Sequence, residues 1–292
     1  MEILFHLGAH CTDGGLLIRS ILRNRNLLSR EGIFVPGPGR YRELLGEVST
    51  TLRGEVASAD TESMLLDAIG DDTSADRLIL SNENFLCRDT RVLEGGTLYP
   101  RAAKAAWLAK CFPSHRAEFA LAIRNPATFV PDVIARTTNT AEERNTVLSG
   151  LELDRILWSD VIDRLQQAVP DARIVVWCHE DTPLIWPEIQ RELTQHDPFT
   201  RLEGALDMAE RIISEDGMLR LNEFLDARSD LTEARRRAAI GAFLEAHALE
   251  DRIATEIDLP GWTDETVTTL TETYEDDLEE IARRPGVAFL AP

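Results

Sequence analysis

Lysine is almost absent from this chain. Lys104 and Lys110 are its two, and arginine carries the rest of a positive charge that 51 acidic residues outweigh. The resulting net charge of −20 argues against a general nucleic-acid or membrane-surface binder, because both partners are polyanions. Any anionic ligand therefore needs a local basic pocket. No apolar run approaches the roughly 20 residues that span a bilayer. The four cysteines, Cys11, Cys87, Cys111 and Cys178, are scattered without CxxC spacing, which implies free thiols in a reducing cytoplasm. No basic segment followed by an apolar signal core opens the sequence, so a cytoplasmic protein is expected. Internal repeats and low-complexity tracts are missing as well.

What remains reads as a globular α/β protein. With 292 residues and 43% apolar content, the chain can bury a substantial core. Short apolar runs predict strands at 2–7, around 32–42, at 76–86 (running into a polar loop), 117–126, 172–181 and 286–290. Helical periodicity predicts helices over 14–30, 61–70, 99–112, from about 127, over 151–169 and over 183–195. In the first of these, Leu17, Ile21 and Leu28 share one face and Arg19, Arg23 and Arg30 the other. This alternation implies a mostly parallel central sheet with helices on both faces. After residue 200 the pattern turns helical, over 203–226, 231–248 and 264–284. A single domain is expected, with an α/β core in 1–200 and a helical C-terminal part in 201–292 ending in a short strand. Between 245 and 284, thirteen acids face three arginines, which reads as a solvated helical surface.

In a parallel α/β sheet, ligands bind beyond the carboxyl ends of the strands. Four strand-end loops are therefore candidates: GAHCTDGG (8–15), SNENF (81–85), RNPATFVPD (124–132) and WCHED (177–181). The first could offer backbone N–H groups to an anion at a helix N-terminus. It does not fit GxxxxGK[ST], and it is not GxGxxG. Read plainly, it is a strand-to-helix turn with Asp13 as N-cap. His6, His10, Cys11 and Asp13 lie close together without a recognised zinc spacing. Cys11 near a helix N-terminus, which lowers thiol pKa, with His10 adjacent as a base, gives a nucleophile reading.

Taken together in order, these segments resemble the sulfotransferase family. Its bacterial members have a first loop similar to H-x-G-x-H-K-T-G-T-T, and here the chain reads His6-Leu7-Gly8-Ala9-His10-Cys11-Thr12-Asp13-Gly14-Gly15. Cys11 stands in place of the lysine, Asp13 in place of a glycine, and Gly14 and Gly15 in place of the hydroxyl pair. FALAIRNP (119–126) matches the strand that ends in R-[DN]-P, but Asp132 occupies the position of the serine that joins Arg124 on the 3'-phosphate. LSNENF places Glu83 where the resemblance implies a base for the acceptor hydroxyl. WCHEDTPL (177–184), through Glu180 and Asp181, and YEDDLEEIARRPGVAFL (274–290) approximate the remaining landmarks.

The resemblance implies a P-loop-like fold and 3'-phosphoadenosine 5'-phosphosulfate as cofactor. The cofactor would be held by Gly8, Ala9, His10, Cys11, Thr12, Asp13, Gly14, Gly15, Arg124 and Asp132, with Glu83 and His10 as catalytic groups. A sulfuryl group would pass to a hydroxyl or amine of a small-molecule or carbohydrate acceptor. Arg19 could replace the missing lysine only by curling back toward the loop. Arg124 has a structural alternative, an ion pair with Asp132 or Glu83, and Glu83 a role as a loop cap. The competing function is a non-catalytic binding or scaffold protein of the same fold, which Cys11, Asp13 and Asp132 favour. A third is an enzyme using a less anionic donor in the same cleft.

Overall fold

The computed structural model describes residues 1–70, 75–228, 230–253, 257 and 259–292. Six parallel strands form one sheet in the order β2-β3-β1-β4-β5-β6. They are β1 (Glu2–His6), β2 (Ile33–Phe34), β3 (Arg77–Ser81), β4 (Arg116–Ile123), β5 (Arg173–Cys178) and β6 (Val287–Leu290). β1 lies at the centre, with Phe5 paired to Leu80 on one side and Phe119 on the other. Its run of apolar residues is what a strand covered on both faces requires.

The helices connect these strands: α1 (Leu16–Arg23), α2 (Arg25–Ser29), α3 (Arg42–Leu52), α4 (Ala59–Ile69), α5 (Ala105–Lys110), α6 (Pro126–Thr137), α7 (Ala141–Ser149), α8 (Trp158–Ala168), α9 (Thr182–Thr194), α10 (Glu215–Asp226), α11 (Glu233–His247), α12 (Glu250–Ile253) and α13 (Asp264–Ala282). Alternate strand residues feed two separate cores. Leu4, Ile79, Ala120 and Val175 pack against Leu17 and Ile21 of α1 and Trp186 of α9. Ile3, Phe5, Phe119 and Leu121 pack on the other face against Leu65, Leu108, Phe129, Trp158 and Ile281. A third, smaller core holds α10 to α11 through Met218, Leu221, Leu225 and Ile240.

The α/β class and parallel sheet are those expected, and the differences are local. The helix predicted over 14–30 breaks at Asn24, whose side chain donates to the Ser20 carbonyl and so competes with the helical ladder. The predicted 99–112 helix begins as a 3₁₀ turn at 102–104. The 203–226 prediction starts too early, because Ser214 caps α10 by accepting from Gly217 N–H. Helices α3, α7 and α12 have no counterpart in the sequence reading. The acidic surface expected over 245–284 includes residues 254–256 and 258, which lie outside the described residues.

Residues 264–290 return to the sheet. α13 lies against α6 and α8, and β6 extends the sheet beyond β5. Asp277 of α13 is buried and accepts from the Trp158 and Ser159 N–H groups at the start of α8. It caps that helix from a distance in sequence.

Candidate functional site

Chain direction sets the site. β1 leads through α1 toward the edge strand β2, whereas its neighbour β4 leads the other way, to β5. Loops that part from adjacent strands leave a crevice at their carboxyl ends. There a cavity of about 380 Å³ is lined by His6, Gly8, Asp13, Gly14, Gly15, Arg19, Arg42, Ser81, Glu83 and Arg136, among others. Gly8 has φ +100°, and a Cβ there would lie 3.3 Å from the Glu83 Cα. Glycine thus lets the 8–15 loop pass directly over the loop that carries Glu83.

The floor of the cavity is the entry to α1. Gly14 and Gly15 adopt positive φ, and Gly15 is the residue before the helix. Asp13 is two residues earlier than a conventional cap, yet its carboxylate accepts from Leu17 N–H at 2.8 Å. Among the described residues, the N–H groups of Asp13, Gly14 and Gly15 donate to no protein acceptor. They sit at the positive end of a helix dipole, and their residues line the cavity.

Three arginines surround these amides. Arg19 does curl back, donating to the Gly14 carbonyl at 3.1 Å while remaining exposed. Arg42, at the start of α3, donates to the Ser81 carbonyl at 2.9 Å. Neither has a carboxylate partner among the described residues. Arg136, on α6, pairs with Glu83 at 2.6 Å and with Asp89 at 3.3 Å, and the Glu83 hydrogen bonds hold its guanidinium firmly charged. Lys104 stacks over Trp107 and Lys110 donates to the Gly54 carbonyl, so neither lysine reaches the loop.

The other expected site residues are held differently. His10 is fully buried. Its backbone N–H donates to Tyr99 OH, leaving that hydroxyl's proton for His10 Nδ1 and placing Nε2–H toward Asn84 Oδ1 at 3.3 Å. Burial lowers its pKa, and both ring nitrogens are engaged. Cys11 has φ 54°, and burial pushes its thiol up rather than down, which corrects the activated-nucleophile reading. Thr12 closes the turn by donating to the Ala9 carbonyl, and Ala9 N–H donates to the Ala122 carbonyl. His6, His10, Cys11 and Asp13 do not converge, since among the described residues no group of three or more such side chains could hold a metal.

Arg124 stands outside this cavity. It donates to Asp132 at 2.5 Å, to the Cys11 carbonyl at 2.7 Å and to Thr128 at 3.1 Å. Arg124 thus ties the 8–15 loop to α6 and is already neutralised by Asp132. The remaining motifs meet at the same turn: Glu180 accepts from Asn125 N–H and from Tyr274 OH, and Trp158 Nε1–H donates to the Arg124 carbonyl. Neither a protein-family model nor a curated protein matches this sequence.

Two site residues escaped the sequence reading. Arg42 follows a Pro/Gly loop and Arg136 lies near the end of a helix, positions where an arginine is ordinarily a solvated side chain. Only the fold brings them to the ends of β1 and β3.

Proposed function

We propose that this chain is a sulfotransferase-like protein that binds the phosphate or sulfate end of a small molecule in the cavity over Asp13, Gly14 and Gly15. One observation carries this reading. In a chain of net charge −20, two arginines, Arg19 and Arg42, line one cavity with three residues, Asp13, Gly14 and Gly15, whose backbone N–H groups have no acceptor, and neither arginine has a carboxylate partner among the described residues. Charge-assisted donors around open amides are what a bound oxyanion requires. The two arginines supply the charge that the loop lacks in lysine.

The ligand this arrangement favours carries its anion at the 5' end and gains nothing from a 3'-phosphate, because Asp132 already occupies Arg124. Calorimetric titration with adenosine 5'-phosphosulfate and with 3'-phosphoadenosine 5'-phosphate should give comparable saturable binding. Arg42→Ala should weaken both by about tenfold or more, the loss of one charged hydrogen bond. Absence of binding by either nucleotide at millimolar concentration would overturn the proposal.

A second reading, sulfuryl transfer to a hydroxyl or amine, is favoured by Glu83, which lines the same cavity. As base it would first have to leave Arg136, so transfer requires an acceptor that displaces that pair. Conversion of a hydroxylated acceptor by the wild type, lost in Glu83→Gln, is the result that would support it.

A further inference from the structure

The cavity contains one group that neither the loop amides nor the arginines account for. His6, at the end of β1, is 3% exposed. Its Nδ1 lies 2.9 Å from Ser81 Oγ and its ring stacks on Trp177 of β5 at 5.8 Å, so it cannot turn to another partner. Nε2 is buried and has no hydrogen-bond partner among the described residues, and His6 is one of the residues of the cavity wall, so an anion in the cavity reaches Nε2 only after a small shift of the groups that cover it. A buried polar atom is ordinarily paired, and one that is not calls for an explanation.

We propose that His6 Nε2 is a direct donor to the bound oxyanion and that binding draws a proton from solvent onto the ring, so that anion affinity rises as pH falls. The proposal rests on the anion-binding reading above. In the bound state both ring nitrogens carry protons, Nδ1–H directed to Ser81 Oγ and Nε2–H to an oxygen of the anion. The surroundings are poised for that change. Burial keeps the empty ring neutral and its pKa low. Asp13, before α1, favours the charged form, Arg42, on α3, opposes it, and the Gly8 carbonyl adds a smaller favourable contribution without hydrogen-bonding geometry to Nε2. Arg19, Glu83 and Arg136 face the same space. An oxyanion placed between His6 and Arg42 offsets the arginine and adds a negative charge beside the ring, both of which favour protonation.

Inorganic sulfate is the suitable probe, since it does not titrate near neutrality. The full chain is titrated with sulfate by calorimetry at pH 6, 7 and 8, in two buffers of different ionisation enthalpy. Uptake approaching one proton per sulfate is expected near pH 7, with affinity falling by up to about tenfold per pH unit above it. His6→Gln retains a donor without a titrating ring and should bind sulfate with a flat pH profile and no uptake. Sulfate binding without proton uptake in the wild type overturns the linkage and leaves the anion site standing. Uptake that persists in His6→Gln assigns the proton to another group and overturns it too. No sulfate binding by the wild type overturns both this inference and the reading beneath it. If His6→Gln fails to fold, the His6 Cε1–H resonance of the wild type decides: saturating sulfate must move its titration midpoint to higher pH.

Discussion

Arg124 donates to the Cys11 carbonyl, to Thr128 and to Asp132, and its side chain is only 12% exposed. Truncating it leaves Asp132 without its cation and a loop carbonyl without its donor. Arg124→Ala should therefore cost about 1–3 kcal/mol of stability, read from the denaturant midpoint. The double change Arg124→Ala/Asp132→Ala should recover part of that loss, and strict additivity of the two single changes would count against the pair. Sulfate affinity should change far less than it does in Arg42→Ala. The R-N-P signature was legible in the sequence because it does structural work here, bracing the turn above β4. The anion-binding side chains were less legible. An arginine becomes a ligand through what surrounds it: Arg42 donates to Ser81, on a strand some forty residues further along the chain, and shares a cavity with residues of the first loop.

Among the elements, α13 has the widest reach. Its Asp277 accepts from Trp158 and Ser159, its Tyr274 donates to Glu180, and Thr271 accepts from the Asn125 side chain. Asp277→Ala leaves two buried N–H groups of α8 without an acceptor and should lower stability by about 2–4 kcal/mol, whereas Asp277→Asn keeps one acceptor oxygen and should lose less. Thermal melts of the two variants check the order, and equal losses would show that the capping bonds are not the cause. The strands were readable in the sequence because buried parallel strands are apolar runs closed by Gly, Pro or a change of period. Helices α3 and α7 were not. α3 follows a Pro/Gly loop and α7 buries no residue, so neither presents a clear apolar stripe. The break at Asn24 was equally hidden, since the side chain that donates to the Ser20 carbonyl there also donates to the Glu203 carbonyl, far along the chain.

For the whole molecule, histidine burial sets the response to acid. His6, His10, His115, His179 and His196 all have pKa values lowered first by burial, and His179 falls from 6.5 to about 4 with Arg124 adding to the effect. The unfolded chain binds protons at these sites more readily than the folded one. The histidine contribution to stability should therefore be full above about pH 6.5 and fall as pH drops toward 4, outweighing Asp181, Glu188 and Asp277, whose carboxyls burial raises and which act in the opposite sense. A Tm that stays flat between pH 7 and pH 5 would contradict this, and His179→Gln should shallow the decline. The same architecture has a consequence in time. β1 is made before both of its neighbours, β3 and β4, which begin 75 residues or more further along. At roughly 5–20 residues per second of synthesis, β1 waits several seconds to some twenty seconds for partners, and its apolar surface meets the cell before it meets the rest of the sheet. Of the six strands, β1 is thus the one that waits longest for its first partner during synthesis.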